Sequence, residues 1–388
     1  MAARSCSGID VFTGAGVHIT FEESIESVEA APVARAGPWI APAWIDLQVN
    51  GFAGADYNDP ATSAAEIGRS IECLFSSGVA RFYPTVITGP PERMEAALRN
   101  LWRARNELPG GEAIEGFHVE GPHISPEDGP RGAHPRQWVR KPDFEEFRRW
   151  QEATENHVRL VTLAPEWPEA PRYIERVTAE GVVASIGHTQ ASAAQIADAV
   201  AAGATFSTHL GNAAHPVLRR YNYIWDQLAE DRLMAGFIVD GFHLPASFLK
   251  VALRAKGISR SVLVTDAAAP AGCAPGRYRL GEVEVELTAD QRVVMAGQER
   301  LAGSALRMDR GIENLVRISS PPLADAVRMA TLNPARAGRI DGRTKGLVAG
   351  ERADLVEFRF DPESARMEIL ATWVSGREVY RNRASAPR

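Results

Sequence analysis

Polar side chains able to bind a metal or move a proton stand where apolar runs of this chain stop. Asp46, Gln48 and Asn50 lie in WIDLQVNG, Glu120 in IEGFHVEG, His188 in VVASIGHT and His209 in TFSTHLGN, while Asp240 and His243 close LMAGFIVDGFH and Asp266 ends SVLVTDA. Imidazole nitrogen and carboxylate oxygen are donors that zinc accepts, and a catalytic zinc site uses three protein ligands and keeps one position for water. Glu120, His188 and His209 meet that description, because neighbouring strands can bring two imidazoles to one point while the glutamate reaches across. A lone histidine at a strand end is ordinarily a buried side chain bonded to a neighbour; three such ends together favour a metal. His123 and His215 are close enough to be rival ligands, whereas His18 and His157 stand apart from these ends.

Asp266 has a competing role as a helix cap, the usual one for aspartate after a strand. Here AAAPAG follows it and leads to an alternating pattern instead of a helix. Beside a metal, Asp266 is placed to take a proton from an attacking water and return it to a leaving amine. His134, in the Gly/Pro-rich loop RGAHP, is placed to polarise a carbonyl oxygen, with a plain surface-loop histidine as the alternative.

Such residues need a scaffold that gathers strand ends on one rim. Eight short runs, at 44–51, 79–86, 114–121, 158–165, 182–189, 205–212, 233–241 and 261–267, are apolar at almost every position, as strands buried on both faces must be. Amphipathic stretches at 63–76, 91–107, 143–153, 191–202, 245–256 and 306–318 alternate with them. The order predicts an α/β fold, a closed (β/α)8 TIM-like barrel over residues 44–339, with an open doubly wound sheet as the alternative. RYRLGEVEVELT followed by RVVMAG reads as a β-hairpin inserted at about 275–296. The strand-like ends, 1–43 and 340–388, are expected to pair into one small β-sandwich domain.

The net charge of -6, with both signs interspersed, offers no footprint for nucleic acid or an anionic membrane. A small molecule is the expected partner. Cys6, Cys73 and Cys273 are too scattered for a disulfide framework or a paired-cysteine metal site, which suits a reducing cytoplasm. The start of the chain lacks a signal-peptide core, and no run of ~20 apolar residues occurs.

The motifs IDLQVNG, FHVEGPHIS with RGAHP, SIGHT, THLGNAAHP, VDGFHL, LVTDAAAPAG, LAGSAL, MATLNPARAGRI and GLVAGERADLV occur in that order over nearly the whole chain. In these the sequence resembles the amidohydrolase superfamily and, within it, the N-acetylglucosamine-6-phosphate deacetylase family. The resemblance implies a barrel plus β-sandwich, a divalent metal, and hydrolysis of a sugar N-acetyl group to acetate and an amine. It implies Glu120, His188 and His209 as metal ligands, Asp266 as acid and base, and His134 facing the acetyl oxygen. Ala133, Asn212, Ala213, His243, Leu301, Ala302 and Gly303 become substrate contacts by the same resemblance. Arg220 falls in register with an arginine that contacts the sugar phosphate, often from the neighbouring subunit of a homodimer.

Many amidohydrolases hold a second metal with a His-x-His pair on the first strand, where this chain has Gln48 and Asn50, neutral amides that are far weaker ligands. One metal per chain is therefore expected, zinc first, with iron or manganese able to use the same donors. After Arg220 the chain departs from the family, with Tyr221, Tyr223 and Trp225 in YNYIWDQLAED. Arg219 and Arg220 could fork a phosphate, or the aromatics could stack on an unphosphorylated sugar. Two further readings follow. One keeps the metal but takes an unphosphorylated N-acyl sugar, an N-acyl amino acid or a cyclic amide; the other is a barrel that binds without catalysis.

Overall fold

The computed structural model describes residues 4–34 and 37–383. The outermost residues of the expected small domain, 1–3 and 384–388, lie outside that range. Eight parallel strands, Trp44–Val49, Val79–Ile87, Phe117–Glu120, Val158–Leu163, Val183–Ile186, Phe206–Ser207, Met234–Ile238 and Ser261–Val264, neighbour one another in chain order. The first and last then close on each other. Val49 bridges Ala267 in parallel, the Asp266 N–H donates to the Gln48 carbonyl at 3.0 Å, and the Asn50 N–H donates to the Ala267 carbonyl at 2.7 Å. The sheet is thus a barrel, and the open alternative is overturned. Every residue of the first two strands is buried, which explains their unbroken apolar pattern.

The predicted helices form within one or two residues of their expected bounds. Ser63 with Glu66, and Ser192 with Gln195, make reciprocal capping boxes that start two of them. Among the described residues four α-helices were not among the predicted stretches: Ala170–Ala179, Tyr223–Ala229, Leu323–Ala330 and Leu332–Ala337. Ala170–Ala179 carries Pro171 in its first turn, a position where no intrahelical donor is lost. Tyr223–Ala229 is too short to show a period. Among the described residues no helix is long and apolar enough to cross a membrane.

Beneath the strand ends lies a layer of buried polar side chains. His118 Nε2 is 2.7 Å from Thr162 Oγ1, which is 2.7 Å from Thr208 Oγ1, itself 2.5 Å from Ser185 Oγ. These buried hydroxyls satisfy one another and form a rigid floor.

Both chain ends contribute to one seven-stranded sheet, in the order Arg377–Arg381, Arg366–Val374, Leu355–Asp361, Trp39–Pro42, Arg4–Asp10, Gly16–Phe21, Ile25–Ala30. Phe21 and Trp373 belong to strands separated by three others, yet their ring centroids are 6.1 Å apart. The sheet therefore folds over itself into a small β-sandwich with Ile19, Ile25, Leu355 and Trp373 inside. The insertion after the eighth strand differs from the expected hairpin. It has three antiparallel strands, Gly276–Leu280, Val283–Leu287 and Val293–Met295, because RVVMAG adds a third strand to the pair. Leu280, Val285, Leu287 and Val293 pack it against Ile87 and Ala302 at the barrel mouth.

A buried ion cluster joins sandwich to barrel. Asp354, just before strand Leu355–Asp361, receives Arg81 Nε and Nη2 from the second barrel strand at 2.9 Å each and Arg343 Nη1 at 2.5 Å. The Ser375 N–H adds a bond at 2.7 Å. Burial opposes the charge on Asp354, but Arg343 and Arg81 outweigh it and hold the carboxyl well below its ordinary range. Removing one member of such a cluster strands the other charges without water. Asp354→Asn is expected to cost about 3–5 kcal/mol in denaturant unfolding, whereas Arg359→Ala, at the exposed Arg359–Glu368 pair, stays within about 0.5 kcal/mol.

Candidate metal centre and active site

Glu120 is the last residue of the third strand, and His188, His209 and Asp266 each come two residues after the fifth, sixth and eighth strands end. The backbone at the last three is left-handed, with φ of 50°, 31° and 51°. For a residue with a Cβ this conformation costs roughly 1–2 kcal/mol. It ends the strand sharply and lets side chains from separate strands aim at one point. Strain of this kind, repeated at three chemically competent residues, marks a functional centre.

The side chains meet closely. Glu120 Oε1 is 3.1 Å from His188 Nε2 and 2.8 Å from His209 Nε2, and the two imidazole nitrogens are 3.1 Å apart. His188 Nδ1 lies 2.9 Å from the Pro130 carbonyl, which only accepts. Nδ1 therefore donates there, and Nε2 faces Glu120 and His209. Lone pairs at such separations repel unless a positive charge sits among them. Burial opposes a charge on His209, but Glu120 outweighs that and holds its pKa up, while the two imidazoles hold Glu120 well below the carboxylate range. The edges of a tetrahedral zinc site with ~2.0–2.1 Å bonds are about 3.3 Å, so this donor set fits a divalent metal with little movement. His134 also comes near, its donor atom lying within 4.8 Å of those of Glu120 and His188.

Around the cluster stand groups that fix its polarity. Gln48 Nε2 donates to Glu120 Oε1 at 3.1 Å and to Asp266 Oδ1 at 3.0 Å, and Asn50 Nδ2 donates to the same Asp266 oxygen at 2.6 Å. The amides of the first strand thus hold two carboxylates that would otherwise repel. Burial, then the charge of Glu120, pushes Asp266 up to about 6. His134 Nδ1 pairs with Thr88 Oγ1 at 2.7 Å, and burial together with the neighbouring His188 pushes His134 down to about 3, keeping it neutral. His243 Nδ1 is held by Asp240 Oδ2 at 2.6 Å.

These groups open into a cavity of about 820 Å³. Ala133, His134, Asn212, Ala213, His243 and Asp266 border it, as do Leu301, Ala302 and Gly303 from the chain after the insertion. Several sequence-level candidates stand elsewhere. Asp46 is not on the rim; it is wholly buried and bonded to Thr265 Oγ1 at 2.5 Å. His123 is turned away, between Trp150 and Tyr173. His215 borders the cavity but is tied to Tyr223 Oη at 3.1 Å rather than to the cluster. Arg219 and Arg220 are exposed and do not border the cavity of their own chain, and neither do Tyr221 and Trp225. Thr88 and the Pro130 carbonyl, which orient His134 and His188, are not legible in the sequence because a threonine or a proline in a loop carries no marker of such a role.

The left-handed backbone gives a test. Alanine and glycine at 266 remove the same carboxylate but differ in strain, so Asp266→Gly should be about 1–2 kcal/mol more stable than Asp266→Ala, the reverse of the usual order. Equal stabilities in urea titration would argue against strain there.

The amidohydrolase family model matches residues 39–379. N-acetylglucosamine-6-phosphate deacetylase of Bacillus subtilis (strain 168) is 34% identical over 335 residues, covering 85% of this chain and 83% of that protein. The Homo sapiens protein of that name is 35% identical over 358 residues, covering 89% and 84%. Among solved structures, a mutant N-acetyl-D-glucosamine-6-phosphate deacetylase from Mycobacterium smegmatis, in complex with N-acetyl-D-glucosamine-6-phosphate, matches with a TM-score of 0.84 at 31% identity and covers 94% of each chain. The present chain is a hydrolytic enzyme and belongs to the N-acetylglucosamine-6-phosphate deacetylase family of the amidohydrolase superfamily.

Proposed function

We propose that the protein removes the acetyl group from N-acetylglucosamine 6-phosphate or a close N-acyl amino sugar, giving the amino sugar and acetate. The observation that carries this reading is the meeting of Glu120, His188 and His209 at the floor of a cavity flanked by Asp266 and His134. These three residues would hold one divalent cation, zinc first, with iron or manganese as alternatives; when bound it supplies Lewis-acid activation of water and of the acyl carbonyl. A single ion is supported by Gln48 and Asn50, neutral amides that are weak ligands and whose N–H groups are engaged by Glu120 and Asp266.

Asp266 takes a proton from the attacking water and delivers it to the sugar nitrogen as the C–N bond breaks, so water and amide become acetate and amine. Its raised pKa suits a group that must both accept and return a proton near neutrality. His134, neutral and bonded through Nδ1 to Thr88, presents Nε2–H to the acyl oxygen as negative charge develops there. Asn212, Ala213 and His243 with Ala133 and Leu301 to Gly303 form the walls that orient the sugar. A homodimer belongs to this reading, because Arg220 stands outside its own cavity beside Val217 (86% exposed) and Tyr221 (83% exposed). A cytoplasmic setting agrees with three free cysteines.

Asp266→Asn is expected to lower acetate release from N-acetylglucosamine 6-phosphate by at least about 10²–10⁴-fold while metal content by elemental analysis stays near one ion per chain. Full activity in that variant removes Asp266 from the mechanism. A stoichiometric second ion in the wild type overturns the role given to Gln48 and Asn50. Amine release from the phosphorylated sugar, the plain sugar and N-acetyl amino acids, measured side by side, separates the substrate classes.

A further inference from the structure

One wall of the catalytic cavity belongs to the three-stranded insertion and not to the barrel. Leu280 and Val283 border the cavity together with Ile87, the last residue of the second barrel strand, against which the insertion packs. They flank the turn Gly281–Glu282, where strands Gly276–Leu280 and Val283–Leu287 reverse direction. A wall made by the tip of a hairpin keeps its place only if the tip is fastened. Gly281 is left-handed, with φ of 58°, and its N–H donates outside the insertion, to Asp56 Oδ2 at 2.7 Å.

Asp56 is itself firmly seated. It ends a short hairpin that follows the first barrel strand, Gly51–Phe52 paired with Ala55–Asp56, and its other oxygen, Oδ1, accepts the Asn58 N–H at 2.9 Å. Asn58 is in turn tied to the second strand, where its Oδ1 accepts the Ile87 N–H at 2.7 Å and its Nδ2 donates to the Thr85 carbonyl at 3.2 Å. An unbroken run of bonds thus leads from the barrel through Asn58 and Asp56 to the insertion tip. A Cβ on Gly281 would stand 3.6 Å from the Asn58 Cβ, so the tip lies in contact with this seat. Burial, with Asp59, pushes the Asp56 carboxyl up to about 6 against the Asn58 and Gly281 N–H groups and Arg93, so it is ionised at neutral pH. A buried charge is costly unless it is bonded, and this one spends its two oxygens on two backbone donors, one of them 225 positions away. Only a carboxylate offers an acceptor to each, because an asparagine would set its NH2 against one of them. On the other side of the tip Trp138 Nε1 donates to Glu282 Oε2 at 2.9 Å, in contact with solvent.

We infer that Asp56 is a positioning residue of this enzyme: through the Gly281 N–H it holds the tip of the insertion, and with it Leu280 and Val283, as a fixed wall of the catalytic cavity. This rests on the deacetylase reading for what the cavity does, and adds to it a residue that does not itself border the cavity. Asp56 leaves Glu120, His188, His209 and Asp266 untouched, so its loss lowers the share of molecules with a formed wall and weakens substrate binding, while the chemical step stays as it was.

The test uses the metal-loaded full chain and reads amide hydrogen exchange beside kinetics. In Asp56→Ala the Gly281 amide should exchange about 10- to 100-fold faster, the size of a hydrogen bond to a charged group, with residues 276–287 following it and strands Trp44–Val49 and Val79–Ile87 unchanged. KM for N-acetylglucosamine 6-phosphate should rise about 3- to 10-fold with kcat within about twofold, and Asp56→Asn, which keeps one acceptor, should fall between. Exchange at Gly281 within about twofold of wild type overturns the inference, as does a freed Gly281 with KM unchanged. Faster exchange throughout the barrel with a matching fall in kcat also overturns it, since Asp56 then serves general stability alone. A wild type that releases no acetate sinks the deacetylase reading by itself, because exchange at Gly281 still decides whether Asp56 holds the tip.

Discussion

Three buried ligand-type atoms within 3.1 Å of one another are the constraint on which this site is built. Left alone they repel, and the neighbouring groups hold them in place. The Pro130 carbonyl fixes the His188 tautomer, and the Gln48 amide drains charge from Glu120 and Asp266 together. The left-handed turns at His188, His209 and Asp266 are the conformational cost of reaching one point from three strands. That cost is tolerable only because the strands below are locked: the hydroxyl floor of Thr162, Thr208 and Ser185 and the closure between Val49 and Ala267 leave the strand ends nowhere to relax.

The eight strands were legible because a parallel barrel buries both faces, which writes an apolar residue at nearly every position from Trp44 to Val49 and again from Val79 to Ile87. The meeting of Glu120, His188 and His209 was legible for the complementary reason, since a polar residue just beyond such a run has no packing explanation. What escaped did so for physical causes. Helix Ala170–Ala179 hides behind Pro171, and strand Val293–Met295 is too short to show alternation. Thr88 acts through one hydroxyl, and Pro130 through a main-chain oxygen that every residue possesses. Arg220 is a different case, being exposed and away from the cavity of its own chain.

The first strand sets the polarity of the site with neutral side chains. Gln48 and Asn50 occupy the rim beside Asp266, yet they face it as hydrogen-bond donors. The Gln48 amide donates to two carboxylates at once without adding a charge, and Asn50 gives Asp266 a second donor. The same strand carries Asp46 one pleat deeper, where it is bound to Thr265 and helps to seam the first strand to the last.

The Arg81–Asp354–Arg343 cluster has a consequence for how the chain is born. Arg81 leaves the ribosome long before its carboxylate partner, the bond between them spanning 273 positions. Until Asp354 arrives, the second barrel strand holds a guanidinium that cannot be sealed away from water, and the N-terminal sandwich strands lack the neighbours that complete their sheet. Burial of the lower end of the second barrel strand therefore depends on a residue of the sandwich, so the two layers mature together rather than one after the other.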